Sequence, residues 1–236
     1  MLNTKKSYIV ATTLFVVAQI ILSVFIQLTR DVTYGILTVS SVSLACIFVL
    51  VNYKRKGWFL LALAFINTVI ADTFLSGLAL LDFNQIIAMC FFIVVQSCYF
   101  LILYTNHTTV KQKVIHVIVR SAVSIIAVLL TVLVLKEKTN ALVIIAMIYF
   151  ANLLVNVVYA FIQIKLSLLL PIGLLLFVLC DIFIGISVLY QMFPFPTDSF
   201  LYTLNTFISN PAWMFYVPSQ TILALTVKEN LLIKRK

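Results

Sequence analysis

Charge is scarce in this sequence. Only 10% of its 236 residues are Asp, Glu, Lys or Arg, well under the roughly 25% of an ordinary soluble domain, and that deficit excludes a soluble enzyme. Glycine and proline are scarce as well, at five each against 19 Phe and 10 Tyr, which excludes disordered, collagen-like and low-complexity chains. The two histidines, His107 and His116, lack companions at ligand spacing, so metal catalysis is set aside and no metal site is expected. Four cysteines, Cys46, Cys90, Cys98 and Cys180, fall inside apolar stretches with neither CxxC nor paired secreted-type spacing, and they read as reduced packing residues. What the chain has in abundance is apolar side chains, 64% of the total, the composition of a protein embedded in a membrane.

Breaks in the apolar pattern predict an all-α, polytopic integral membrane bundle of about eight transmembrane helices. They run approximately over 8–28, 34–51, 57–80, 85–104, 114–135, 141–164, 166–190 and 211–227. These runs are apolar all round, unlike the alternating strands of a membrane barrel. The stretch from Gln191 to Asn210 mixes polar and apolar residues around Asp198 and is expected to form a loop, a lid or an interfacial helix.

Basic residues are retained on the cytoplasmic side of a membrane. Alternate loops place Lys5, Lys6, Lys54, Arg55, Lys56, Lys111, Lys113, Arg120, Lys165, Lys228, Lys234, Arg235 and Lys236 on one side, 13 of the 16 basic residues. The other side keeps Arg30, Lys136 and Lys138. Both termini are therefore expected in the cytoplasm, with the chain in the cell membrane if its source is bacterial. The net charge of +9 follows from orientation and from attraction to anionic head groups, so nucleic acid is not an expected partner.

Of the seven acidic residues, only Asp72 and Asp181 fall within predicted spans. An ionisable group in hydrocarbon costs at least a few kcal/mol and faces a cavity or the bundle interior, which makes this pair the leading candidate for a catalytic site. Each lies sixteen residues after a basic residue, Lys56 or Lys165, so two outward-running helices bring both carboxyls to similar depth. Four residues further on stand Ser76 and Gly185, small enough for close helix approach or for a ligand. The contexts ADTFLSG and CDIFIGI suggest a single transmembrane domain built from two parallel four-helix halves, about 1–110 and 111–236.

Other polar residues point inward. On the sixth helix Tyr149, Asn152, Asn156, Tyr159 and Gln163 share an arc of about 80°. Gln96 and Tyr99 share a face of the fourth helix, and Trp213, Tyr216 and Gln220 a face of the eighth. Such residues can do no more than hydrogen-bond across helices, or they can line a polar cavity around the acidic pair. Arg120 reads as a residue whose charge snorkels toward the cytoplasmic face.

Four segments carry a family resemblance: ADTFLSGLALLDF from Ala71, FFIVVQSCYF from Phe91, GLLLFVLCDIFIG from Gly173 and WMFYVPSQTILALT from Trp213. They resemble the third, fourth, seventh and eighth helices of the YhhN-like membrane proteins, which include the lysoplasmalogenases. The sequence departs from the common pattern at Ala71, where many members have Gly, and at Gln96, where they have His. The resemblance implies Asp72 and Asp181 as the acidic pair and Tyr99, Tyr216 and Gln220 as pocket residues; Gln96, Asn152 and Asn156 complete the expected substrate-binding set.

It further implies hydrolysis of the vinyl ether bond of a lysoplasmalogen drawn from the bilayer, giving a fatty aldehyde and a glycerophospho-head group, with no cofactor. The chemistry suits the residues. A vinyl ether is cleaved by protonation at carbon, and one of two neighbouring carboxyls can hold a proton while the other remains an anion. Glycosidases divide acid and base work between two carboxyls in a comparable way. Taken without the resemblance, the same acidic pair would equally serve a proton-coupled transporter or order a non-catalytic lipid-binding protein.

Overall fold

The structure is a computed structural model that describes residues 5–29, 33–52, 57–76, 84–107, 109–193, 196–200, 202–203 and 211–229. Eight α-helices and no strand are found among the described residues: α1 (Lys5–Leu28), α2 (Thr33–Val51), α3 (Trp58–Leu75), α4 (Gln85–Thr105), α5 (Val110–Leu135), α6 (Ala141–Ile162), α7 (Leu169–Met192) and α8 (Pro211–Leu225). Six of them, α1 and α3 to α7, are long and apolar enough to cross a membrane, while α2 offers a 17-residue apolar stretch and α8 has 15 residues. The expected all-helical membrane bundle is thus found, with six helices of full spanning length.

Polar side chains at the helix ends decide where the helices start. Asn84 and Asn140 accept the backbone N–H groups of Ile87 and Val143, the usual role of Asn as an N-cap. Thr109 and Gln112 cap each other reciprocally, which starts α5 at Val110 rather than at the expected Val114. The Ser167 hydroxyl accepts the Leu170 N–H at 3.0 Å, and α7 begins at Leu169 rather than 166. Pro171 then falls in the first turn, where its missing N–H is no loss. Helix α3 ends at Leu75, short of the expected 80, with residues 77–80 outside those described.

The helices close into a ring. Helix α2 packs on α3, α3 on α4, α4 on α6, α6 on α7 and α7 on α8, which returns to α2; α1 lies against α2 and α8, and α5 against α6. A polar clasp joins α1 to α2, with Gln19 Nε2 donating to the Ser41 carbonyl and the Ser41 hydroxyl to Gln19 Oε1. Helices α7 and α8 approach closely at Gly173. A Cβ on Gly173 would meet Leu223 Cγ at 2.7 Å, and the Gly173 carbonyl accepts the Ser219 hydroxyl at 2.8 Å.

Side-chain ties also identify the two ends of the bundle. Gln163 donates to the Leu103 carbonyl, and Glu229 accepts from the Ser167 hydroxyl and the Leu168 N–H. Lys111, Lys113, Lys165 and Lys228 therefore gather at one end of the bundle, here called the basic end. At the far end Lys138 donates to the Met192 carbonyl and lies over the Phe193 ring. Most of the surface of α5 is exposed and apolar, with only His116 and Thr131 buried, as expected of a helix that faces lipid. In the stretch from Gln191 to Asn210, Ser199 caps a short turn and Tyr202 comes within 6.2 Å of Tyr190 between ring centroids. Residues 194–195, 201 and 204–210 lie outside the described set, and with them most of the expected lid or interfacial helix.

Candidate functional site

Both intramembrane carboxyls find a tyrosine. Asp72, on the last turns of α3 and 4% exposed, accepts the Tyr216 hydroxyl of α8 at 2.5 Å. Asp181, near the middle of α7 and partly buried, accepts the Tyr149 hydroxyl of α6 at 2.6 Å. Four helices thus contribute one group each, and each carboxyl is joined to its own tyrosine. Phe177 stands between the two tyrosine rings, 6.5 Å from Tyr149 and 5.8 Å from Tyr216 between centroids. A tyrosine O–H on a carboxylate is a charge-assisted bond, the strong kind in a dry interior.

The surroundings of the two carboxyls differ. Ser76, one turn after Asp72, fills its space, since a Cβ on Gly35 of α2 would meet Ser76 Cβ at 2.9 Å. Among the described residues, no atom lies within 4 Å of the place a Cβ would take on Gly185, one turn after Asp181. The small residue beside Asp72 serves close helix packing and the one beside Asp181 leaves open space. Among the described residues Asp72 is enclosed and Asp181 is partly exposed.

The remaining expected residues divide into two groups. Tyr216 belongs to the acidic site, and Gln220, one turn below it, is fully buried with neither side-chain atom partnered. Tyr99 is buried on α4, but neither carboxyl receives a hydrogen bond from it. Asn152 turns back to the Ile148 carbonyl and keeps Oδ1 buried without a partner. Asn156 is drawn to Gln96 instead, with Nδ2 donating to the Gln96 carbonyl and Oε1 at 2.9 and 3.0 Å, while Gln96 Nε2 has no partner. The α6 stripe therefore faces inward as expected, running from the acidic site at Tyr149 toward the basic end at Gln163.

Sequence reasoning missed a second cluster on that stripe. His107 and His116, nine residues apart across a helix start and without a companion at ligand spacing in the sequence, nevertheless meet at 3.0 Å between Nε2 and Nδ1. The turn between α4 and α5 folds one ring back onto the other, and the His116 ring stacks on Tyr159 at 3.5 Å. Burial, with a smaller contribution from the Lys113 ammonium, holds the His107 imidazole below its ordinary pKa. No group of three or more His, Cys, Asp or Glu suited to a metal occurs among the described residues. The reading of Arg120 is corrected. Rather than snorkel outward it lies half-buried over the Phe100 ring, 4.4 Å from its centroid, with a guanidinium N–H 3.4 Å from Asn156 Oδ1. The cysteines are free as expected, three of them buried and Cys90 exposed.

Comparison with curated proteins and with solved structures returns no match. Residues 32–227, which contain all four helices of the carboxyl–tyrosine pairs, match the YhhN family, and the chain belongs to that family.

Proposed function

We propose that this chain is a membrane hydrolase that cleaves the vinyl ether bond of lysoplasmalogens, with Asp72 and Asp181 as its reacting groups. Family membership supports the reading, and the observation that carries it is the asymmetry of the two carboxyl–tyrosine pairs. Acid cleavage of a vinyl ether needs a proton donor that reaches carbon and a negative charge that stays in place. Asp181 is partly exposed, with space beside it at Gly185, and suits the donor; Asp72, enclosed and fixed by Tyr216, suits the stationary charge.

In the first step the Asp181 carboxylic acid gives its proton to the outer carbon of the double bond, whose π electrons form the new C–H bond. The positive charge is then shared between the inner carbon and the ether oxygen and faces the Asp72 carboxylate. Water adds to the inner carbon and returns a proton to Asp181. The resulting hemiacetal breaks its C–O bond, with the hydroxyl proton passing to the departing glycerol oxygen, and releases the aldehyde. Tyr149 keeps the Asp181 carboxyl oriented by its hydrogen bond, and the apolar ring of helices accommodates the alkenyl chain.

The test is fatty-aldehyde release from a lysoplasmenyl-ethanolamine by the purified protein in detergent. Wild type should release aldehyde, while Asp72→Asn and Asp181→Asn should release none and stay folded. Activity in both variants would overturn the reading. A folded wild type that releases no aldehyde but moves protons in sealed vesicles would favour a proton-coupled transporter instead.

A further inference from the structure

The cluster around Arg120 has no role in the chemistry above, yet it is a costly arrangement. Arg120 lies ten residues into α5, about 15 Å along the helix axis. An arginine in the apolar layer needs a partner. No carboxylate contacts it among the described residues; its polar contact is the 3.4 Å approach to Asn156 Oδ1, and Phe100 lies beneath it. Lys113, His116 and Arg120 follow each other at i, i+3 and i+7 on one face of α5, so they stand in a line along that helix.

Buried polar nitrogens adjoin this guanidinium through Asn156 and the Phe100 ring. Gln96 Nε2 and His116 Nε2 are both buried and without partners among the described residues, on residues that are fully enclosed. Asn156 ties the Arg120 guanidinium directly to Gln96, and the His107–His116 pair fixes the imidazole. A planar fork, an amide N–H and an imidazole nitrogen with no acidic residue among them match a phosphate group, which accepts several hydrogen bonds at once.

The cluster is also spaced for the acidic site. Asn156, which Arg120 contacts, lies seven residues beyond Tyr149 on α6, about 10 Å along the axis. A glycerol backbone with its linking oxygens bridges a comparable distance between a phosphate and an alkenyl ether. We propose that Arg120, with Gln96 and His116, holds the phosphate of the lysophospholipid head group while the ether bond lies at Asp181. The head group thus points toward the basic end of the bundle. The assignment of the lipid rests on the hydrolase reading; the phosphate site rests on this cluster.

Binding of an uncleavable ligand separates the two. The probes are a saturated 1-O-alkyl-glycerophosphoethanolamine, the same 1-O-alkylglycerol without phosphate, and inorganic phosphate as competitor, each added to the full chain in a phosphate-free detergent. Wild type should bind the phosphate-bearing ether roughly 10- to 100-fold more tightly than the alkylglycerol, the range of hydrogen bonds to a charged group. Arg120→Gln should lose that preference while keeping alkylglycerol binding, which also reports that the variant is folded, and Arg120→Lys should retain part of it. His116→Phe, which keeps the stack on Tyr159, should weaken the preference and serves if Arg120→Gln fails to fold. An undiminished preference in Arg120→Gln, or in His116→Phe where that variant stands in, overturns the proposal. Displacement of the lipid by inorganic phosphate at equal concentration would assign the site to a soluble phosphate and overturn the head-group assignment. Phosphate preference in a wild type that releases no aldehyde would leave this site standing and remove the hydrolase reading.

Discussion

Each acidic residue depends on a single hydroxyl, and that dependence can be measured. Tyr149→Phe and Tyr216→Phe delete one hydrogen bond each, charge-assisted once the carboxyl it meets is an anion and then worth about 1.5 to 3 kcal/mol. Aldehyde release should fall roughly 10- to 100-fold in either variant, with the Tyr149 change acting on the donor and the Tyr216 change on the stationary charge. A second residue-level effect concerns His107. Because the folded protein holds its imidazole below the ordinary value, chiefly through burial, the unfolded chain takes up the proton first as pH falls. Its contribution to stability is therefore fully present above about pH 6.5 and is lost below that. Thermal unfolding followed from pH 7 to pH 5 should show the decline, and His107→Gln should lessen it.

Glycines at two helix faces have opposite meanings, and substitution distinguishes them. Gly173 lets α7 and α8 approach until Leu223 fills its place, so Gly173→Ala should destabilise the protein by about 1 to 3 kcal/mol through overpacking. Gly185 borders open space, and Gly185→Leu should leave thermal stability unchanged or raised, since Gly is a poor helix former. The same substitution should reduce kcat/KM for the vinyl ether lipid roughly 10-fold or more by displacing the substrate from Asp181. Equal loss of stability in both variants would show that α7 packs alike on its two sides, against the open geometry of the donor. The caps belong to this scale too. Thr109 with Gln112 and Ser167 with Leu170 set helix starts that the apolar pattern blurs by three or four residues.

At the scale of the whole molecule, the ring of helices and its two unlike ends form the framework that positions both polar clusters. The basic end gathers Lys111, Lys113, Lys165 and Lys228, and the far end holds Lys138 against Met192 and Phe193. The excess of positive charge should hold the basic end in the cytoplasm. With the native cysteines replaced, a single cysteine at Lys113 should react with an impermeant thiol reagent only from the cytoplasmic side of sealed vesicles, and one at Glu137 only from the other side. Reaction of both from one side would contradict the alternation of α5. The outward apolar faces of α1 and α5 are consistent with lipid contact around the ring.

Membrane residence, the helical class and the two candidate carboxyls were legible in the sequence itself, because hydropathy and the cost of an intramembrane charge are local properties of composition. The inward stripe on α6 was legible for the same reason, as five polar residues on an apolar helix define a face. What the sequence could not display is which partner each group meets. Tyr216 reaches Asp72 across 144 residues and Asn156 reaches Gln96 across 60, and such pairings depend on how each helix is rotated and which neighbour it meets. Helices that are apolar on nearly every side carry little signal for that rotation. The pairing of His107 with His116, the inward turn of Arg120 and the partial exposure of Asp181 were therefore decided only when the helices packed, with close contacts at Gly173 and Gly35 fixing how α7 meets α8 and α2 meets α3.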